Sequence, residues 1–219
     1  MSQEIVDYLQ FIAEGVPWTL SLVFLGLALG FLIGLPLAIV QTYWKGYASK
    51  LAELYARLLR GTPLLVFLSL LYFGFFPSFG MRLSPFEVSV IALGIRSSAY
   101  QSQIFRSALI SIDKGQWLAA ESLGMRRNQV LAYVIIPQAL RISIPSWINE
   151  YAVMLKDSSI CFSLGVMEVL TRAKYVVTAT GSALIPFLFA GFLYLILTQA
   201  GTTLAEKAFR NLKIAGTLG

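Results

Sequence analysis

Polar positions divide the chain into long apolar stretches separated by short charged ones. From Val16 to Val40, twenty-five residues pass without an ionisable group. As a helix rising about 1.5 Å per residue this run is about 37 Å long, enough to cross a hydrocarbon core of about 30 Å with some tilt. Pro17 stands in the first turn, where a helix tolerates proline because that N–H has no partner in any case, and Trp18 beside it suits a membrane–water interface. Four more spans are predicted. The second covers residues 60–79, with its continuous apolar part from Leu64 to Phe79. The third covers 86–110 and is interrupted by polar groups, the fourth covers 130–155 and contains Pro137 and Pro145, and the fifth covers 183–204. The pattern predicts an all-α integral membrane protein of five helices, one domain over residues 1–219, with its termini on opposite sides.

Composition agrees with a bilayer as solvent. Of 219 residues 57% are hydrophobic and 13% charged, with mean hydropathy +0.73. A soluble domain carries roughly 45–50% apolar and about 25% charged residues, so this chain has too few solvated groups to cover a globule in water. The absence of His removes histidine metal sites and Ser–His or Cys–His catalysis, and the single Cys161 allows neither an internal disulfide nor a CxxC site. No cleavable signal peptide is predicted, since Met1 to Gly15 carries Glu4, Asp7 and Glu14 and no Lys or Arg.

The net charge of +6 would suit nucleic acid, but its placement is a topology signal. With the N-terminus outside, the inner segments hold twelve cationic residues: Lys45, Lys50, Arg57, Arg60, Arg106, Lys114, Arg126, Arg127, Arg141, Lys207, Arg210 and Lys213. The outer segments hold four, Arg82, Lys156, Arg172 and Lys174, and Arg96 falls inside the third span. The positive-inside rule then predicts an outer N-terminus and a cytoplasmic C-terminus, with no nucleic-acid partner. Gly216 to Gly219 reads as disordered.

The longest polar excursion, Ser111 to Tyr133, lies on the inner side. Ala, Leu and Glu favour helix within it, Gly124 sits where a left-handed cap is expected, and Arg126 and Arg127 follow. A short helix, a turn and basic residues make a rigid cytoplasmic knob; from composition alone an amphipathic loop on anionic headgroups fits equally. The spacing separates the two. Ala119-Ala120, three residues, Gly124, nine residues and Val134-Ile135-Ile136-Pro137 resemble the "EAA" loop of ABC-importer permeases. Thr19-Leu20, Arg60-Gly61-Thr62-Pro63-Leu64-Leu65, Ala99-Tyr100 with Arg106, Asn149-Glu150 and Lys156-Asp157-Ser158-Ser159 extend the resemblance over nearly the whole chain. It points to the polar amino acid subfamily, whose members import amino acids such as arginine, histidine or glutamine.

That resemblance implies a type I importer permease, multi-pass in a bacterial-type inner membrane, surrounded by lipid and paired with a second permease subunit, identical or related. It implies two cytoplasmic ATPase subunits docked on the loop at residues 115–128, through Gln116, Ala119, Ala120, Glu121, Gly124, Arg126 and Arg127. It also implies an extracytoplasmic binding protein that delivers the amino acid. No cofactor is expected on this chain, ATP and Mg residing on the ATPase. Two positions depart from the family pattern: the leading Glu of the loop is Leu118, and the Glu after Ala-Tyr is Gln103. Losing the first removes a charged contact; Glu121 stands three residues on, nearly on the same helix side, but is not taken to replace it.

A charge in the hydrocarbon core costs at least about 2.5–3.5 kcal/mol, so such residues normally face a partner or a cavity. Arg96, Tyr100, Gln103 and Ser107 recur at helical spacing on the third span, and Ser146, Asn149, Glu150 and Asp157 make a comparable stripe on the fourth. One reading is a pocket for an α-amino acid lined by Glu150, Asn149, Arg96, Gln103, Tyr100 and Asp157. Glu150 takes the ammonium or a cationic side chain, and Arg96 takes the carboxylate through its bidentate fork. The other reading is structural, with Arg96 and Glu150 paired to each other or to Lys156 and Glu87. Tyr72, Phe73, Phe75 and Phe76 read as packing. The sequence has no GxGxxG, no GxxxxGK[ST] and no nucleophile–base pair, so ATP hydrolysis is excluded from this chain and an enzyme is not expected. A stand-alone channel or ion-coupled carrier is the competing class, although five spans fit poorly with its usual plan of two repeats.

Overall fold

The computed structural model describes residues 2–209, with side chains from Glu4 onward; the Gly216–Gly219 stretch expected to be disordered, together with Arg210 and Lys213, lies outside the described residues. The apolar run that opens the sequence forms α2, Val16–Tyr43, with Pro17 in its first turn. Gly26, Gly30 and Gly34 recur every four residues, so they share one buried face. A Cβ on Gly30 would lie 2.9 Å from Ser97 Oγ, and one on Gly34 would lie 2.9 Å from the Ser98 carbonyl oxygen. Both partners belong to α5, Pro85–Ser111. Apolar side chains gain little by leaving lipid for one another, so helices in a bilayer associate by close backbone approach, which these glycines permit.

Before α2 runs α1, Ser2–Ala13. After it come α3, Tyr47–Gly61, and α4, Leu64–Ser78. The chain continues from α5 into α6, Lys114–Ser122, and α7, Arg127–Leu164. It ends with α8, Val169–Thr180, and α9, Leu184–Phe209; among the described residues all regular structure is helical. Helix starts are written in the local sequence. Ser84 and Glu87 form a reciprocal capping box ahead of α5, and Asp113 accepts from the Gly115 N–H at 2.6 Å to open α6.

Helices α2, α5 and α7 make the core in two stacked clusters. Leu22, Val23, Leu27, Leu93, Met154 and Leu155 fill one end, and Ala38, Phe105, Leu109, Val130, Ile135 and Ala139 fill the other. Helix α9 packs along α7, where Gly201 admits the Tyr151 ring and the Tyr151 hydroxyl donates to the Leu197 carbonyl at 3.0 Å.

The five predicted spans are met unequally. Glu4–Tyr43, Arg127–Leu164 and Leu184–Phe209 are long and apolar enough to cross a membrane, and they contain the first and fourth predicted spans and all but Ala183 of the fifth. The second, expected over 60–79, is corrected: Arg60 and Gly61 end α3, and α4 leaves at 104° to it. Pro63 supplies the break, because it cannot continue the helix and restricts Thr62 to extended backbone. Helix α4 alone is shorter than a hydrocarbon core of about 30 Å, and only the bent pair of α3 and α4 together is long and apolar enough for a span, broken or re-entrant. The third has the length at 27 residues, but its Ser, Gln and Arg positions make it too polar to qualify on composition.

Prolines explain a second departure. A π-helical turn occupies Leu70–Phe75 just before Pro77, and another occupies Leu131–Ile135 just before Pro137. Proline has no N–H to donate and its ring crowds the carbonyl one turn earlier, which the wider turn relieves.

Neither α1 nor α8 was legible as an element. They pack on each other and on α9 through Ile12, Val169, Ala173, Val176 and Ala190. Arg172 on α8 donates to the Phe11 carbonyl at 3.1 Å and to the Glu14 carboxylate at 2.9 Å. Gly15 sits against the start of α8, where a Cβ would lie 2.6 Å from Val169 N and 2.8 Å from the Glu168 carbonyl carbon. Those neighbours are backbone and no rotamer change clears them. Gly15→Ala is therefore expected to cost about 1–3 kcal/mol and to lower the Tm of the purified protein in a thermal-unfolding assay. Gly191→Ala, where the added Cβ meets nothing within 4 Å, is expected to leave the Tm unchanged or slightly raised.

Candidate functional site

Helices α5 and α7 run antiparallel, since Arg96 meets Asp157, Ser97 meets Glu150 and Gln101 meets Trp147. In a helix each Cα–Cβ bond tilts toward the N-terminus. Side chains on α5 thus lean toward its Pro85 end, those on α7 lean toward its Arg127 end, and the two sets converge. Arg96 Nη1 pairs with Asp157 Oδ2, their side chains 19% and 22% exposed, and the guanidinium lies over the Tyr100 ring, 5.2 Å from its centroid. One position along, Ser97 Oγ donates to Glu150 Oε1 at 2.6 Å. Glu150 is only 6% exposed. A guanidinium and two carboxyl groups, one of them already neutralised, thus lie side by side between two long helices.

This arrangement corrects the structural pairing expected from the sequence. Arg96 takes Asp157 rather than Glu150, because Arg96 and Ser97 point about 100° apart on the helix and only Ser97 faces Glu150. Glu87 is engaged locally, accepting from the Ser84 N–H at 2.7 Å. The two predicted stripes also divide. Arg96, Tyr100, Asp157 and Glu150 come together, whereas Asn149 and Ser146 are exposed on α7 and Ser107 is exposed on α5. Gln103 turns away to α2, its Nε2 donating to Gln41 Oε1 at 2.9 Å, while Gln41 donates to the Ala52 carbonyl on α3 at 2.9 Å. With the Arg106–Glu53 ion pair at 3.3 Å, this contact fastens α3 to the bundle.

Sequence reasoning missed Ser97, Gln101 and Trp147, which lie directly behind Glu150. The signal was a second polar row on α5, Ser97 with Gln101 and Ser98 with Ser102, each four residues apart and all buried. It was hidden by the more conspicuous Arg96 row beside it.

A second group forms at the far end of the bundle. Helix α6 closes with Gly124 at φ +80°, where the Met125 N–H reaches the Ala120 carbonyl at 3.2 Å and the Gly124 N–H reaches the Glu121 carbonyl at 2.9 Å. These two bonds define a Schellman motif. Trp117, Ala120 and Met125 face inward, Trp117 packing on Tyr43 with ring centroids 5.4 Å apart. Gln116, Leu118, Ala119, Glu121, Leu123, Gly124, Arg126 and Arg127 face outward. Of the two alanines that the resemblance assigns to a partner, Ala120 is thus buried beneath its own helix, while Ala119 is free. Leu118 is 63% and Leu123 83% exposed. Tyr43, Trp117, Glu121 and Arg127 line a shallow cavity of about 290 Å³ beside them.

Residues 26–210 match the family described as the binding-protein-dependent transport system inner membrane component. The chain is 32% identical to the arginine transport system permease protein ArtQ of Bacillus subtilis, over 95% of each chain. It is 33% identical to the glutamine transport system permease protein GlnP of Escherichia coli K12, over 92% of each. Among solved structures it is similar to an amino acid ABC transporter crystallised with histidines, with a TM-score of 0.86 and 35% identity over 95% of this chain and 97% of that one. The MetNI methionine ABC transporter in an inward-facing conformation shares the fold, at a TM-score of 0.82 and 17% identity over 94% of this chain and 97% of that one.

Proposed function

The chain belongs to the family of binding-protein-dependent transport system inner membrane components, and from that membership we propose that it is the permease subunit through which an ABC importer takes up a polar or charged amino acid. It is a transport subunit and not an enzyme, the ATPase of these systems being a separate chain. The stand-alone carrier is not favoured. A binding protein and an ATPase are its partners by family; a second permease subunit and two ATPases complete the proposed assembly. ATP and Mg belong to the ATPase, and this chain holds no cofactor.

The observation that carries the substrate reading is the buried group of Glu150, Arg96 and Asp157 between α5 and α7. Asp157 already neutralises Arg96, so Glu150 is the surplus acid, suited to an ammonium or guanidinium. Arg96 Nε is buried without a hydrogen-bond partner among the described residues, so the guanidinium has a donor to spare for the amino acid carboxylate. Tyr100 borders this group. Asn149 and Gln103, expected in the same pocket, lie apart from it and are not assigned to the substrate.

We assign one membrane domain to residues 1–219, with five crossings made by α2, the broken α3–α4 pair, α5, α7 and α9. The N-terminus is outside and the C-terminus cytoplasmic, which places α6 on the cytoplasmic face. Its outward residues Gln116, Ala119, Glu121, Gly124, Arg126 and Arg127, with Leu118 and Leu123, form the seat for the ATPase. Closure of the ATPase dimer on ATP brings the two permease loops together and opens the paired bundles outward; hydrolysis reverses the motion. A membrane-impermeant maleimide is expected to label a cysteine at Asp7 in intact cells and to leave one at Lys207 unlabelled, both positions being exposed. The reverse pattern would overturn the orientation.

The transport reading is tested by an uptake assay across the twenty amino acids in cells with and without the binding protein. Uptake of one or a few polar amino acids that disappears with the binding protein is the expected outcome; uptake indifferent to it contradicts the proposal.

A further inference from the structure

Glu150 is held by a hydrogen-bond chain whose direction is forced at both ends. Trp147 Nε1 can only donate, and it donates to Gln101 Oε1 at 2.9 Å. The Leu27 carbonyl can only accept, and it takes Gln101 Nε2 at 3.0 Å. The Gln101 amide therefore has a single orientation, and its nitrogen also donates to Ser97 Oγ at 3.0 Å. Ser97 receives on its oxygen and gives its proton to Glu150 Oε1 at 2.6 Å. Gln101 and Ser97 are fully buried, and Gly30 on α2 leaves the space they fill, since a Cβ there would strike both.

Ser97 stands out against its neighbours. Ser89, Ser98, Ser102 and Ser111 on the same helix turn their hydroxyls back onto carbonyls three or four residues earlier. That is the local alternative always open to a helical serine. Ser97 instead spans to another helix, where the Glu150 carboxyl lies within reach of its hydroxyl.

From this geometry we propose that Trp147, Gln101 and Ser97 are positioning residues that fix a donor on Glu150 Oε1, orienting the carboxyl so that Oε2 meets the cationic group of the substrate. The torsion that aims a Glu carboxyl is broad, so burial alone does not set it; a directed donor does. The inference rests on the reading of Glu150 as a substrate contact, and its test is arranged so that the two fail differently.

The experiment uses the assembled permease–ATPase complex in nanodiscs without binding protein, with equilibrium binding of labelled arginine and labelled glutamine as probes and the Tm recorded for every variant. Ser97→Ala and Gln101→Met are each expected to raise the Kd about tenfold, and Ser97→Thr to stay near wild type. The double variant Ser97→Ala/Gln101→Met is expected to bind no worse than Ser97→Ala, because both changes break one chain. A merely structural role lowers the Tm additively and leaves the Kd in place. If Gln101→Met fails to express, Trp147→Phe keeps the ring, removes the fixing donor and is expected to raise the Kd several-fold. Unchanged affinity in these variants while Glu150→Gln weakens binding would overturn the relay and leave the pocket standing. If Glu150→Gln binds like wild type, or wild type binds neither probe, the pocket reading falls and the relay with it.

Discussion

Gly124→Val is expected to abolish transport and release the ATPase subunit while leaving membrane insertion intact. Gly124 ends α6 at φ +80°, a conformation in which a side chain crowds the following carbonyl. A Cβ there meets no neighbour within 4 Å, so the penalty is conformational rather than steric. For a β-branched residue it amounts to about 1–2 kcal/mol or more. The helix escapes it by giving up the Schellman bonds from Gly124 and Met125. Met125, which packs into the bundle, then loses its place, and Arg126 and Arg127 leave with it. A knob that couples two machines must be stiff, and its stiffness depends on this one turn. The readout is retention of the ATPase during affinity purification together with uptake. A Gly124→Val variant that keeps its ATPase and transports normally would show that α6 is not the docking element.

Glu150→Gln is expected to weaken substrate recognition ten- to hundredfold, the loss of a charge-assisted contact of roughly 1.5–3 kcal/mol. The substitution separates recognition from folding. Glutamine keeps the shape and an oxygen to accept from Ser97, so the buried bond at 2.6 Å has a replacement and expression is expected to hold. Uptake falls while basal ATPase activity stays near normal. The companion is Arg96→Gln with Asp157→Asn. Either change alone leaves a charge unpaired within the bundle and is expected to reduce expression; together they are expected to restore it. If Arg96 serves only that pair, transport returns as well. If it also holds the substrate carboxylate, transport stays lost. Recovery of transport in the double variant would remove Arg96 from the pocket.

The long elements were legible because their signal is one-dimensional. Twenty-five residues without a charge can hardly be other than α2, and proline at its start with glycine at the end of α6 mark termini by chemistry that does not depend on the rest of the fold. The partners were not legible. Arg96 and Ser97 are adjacent in sequence but look at different residues of α7, and which of Glu150 and Asp157 each meets depends on the antiparallel stagger. The same limit hid α8, a helix held by α9 and, across more than 150 residues in sequence, by α1, as the Arg172 contact to Phe11 illustrates. It also hid the π-helical turns before Pro77 and Pro137, where the sequence shows the cause but not which way the backbone yields. The buried row behind Glu150 escaped because serine and glutamine on an apolar helix resemble interruptions until a second helix gives them partners.

The most direct measurement is uptake into proteoliposomes carrying the assembled complex, with ATP and Mg trapped inside and the binding protein with labelled amino acid outside. Accumulation that requires both ATP and the binding protein, and stops when either is left out or when Gly124→Val replaces the wild-type chain, is the expected result. Accumulation driven by an ion gradient in the absence of ATP and binding protein would contradict the assignment of this chain as the permease of an ATP-driven importer.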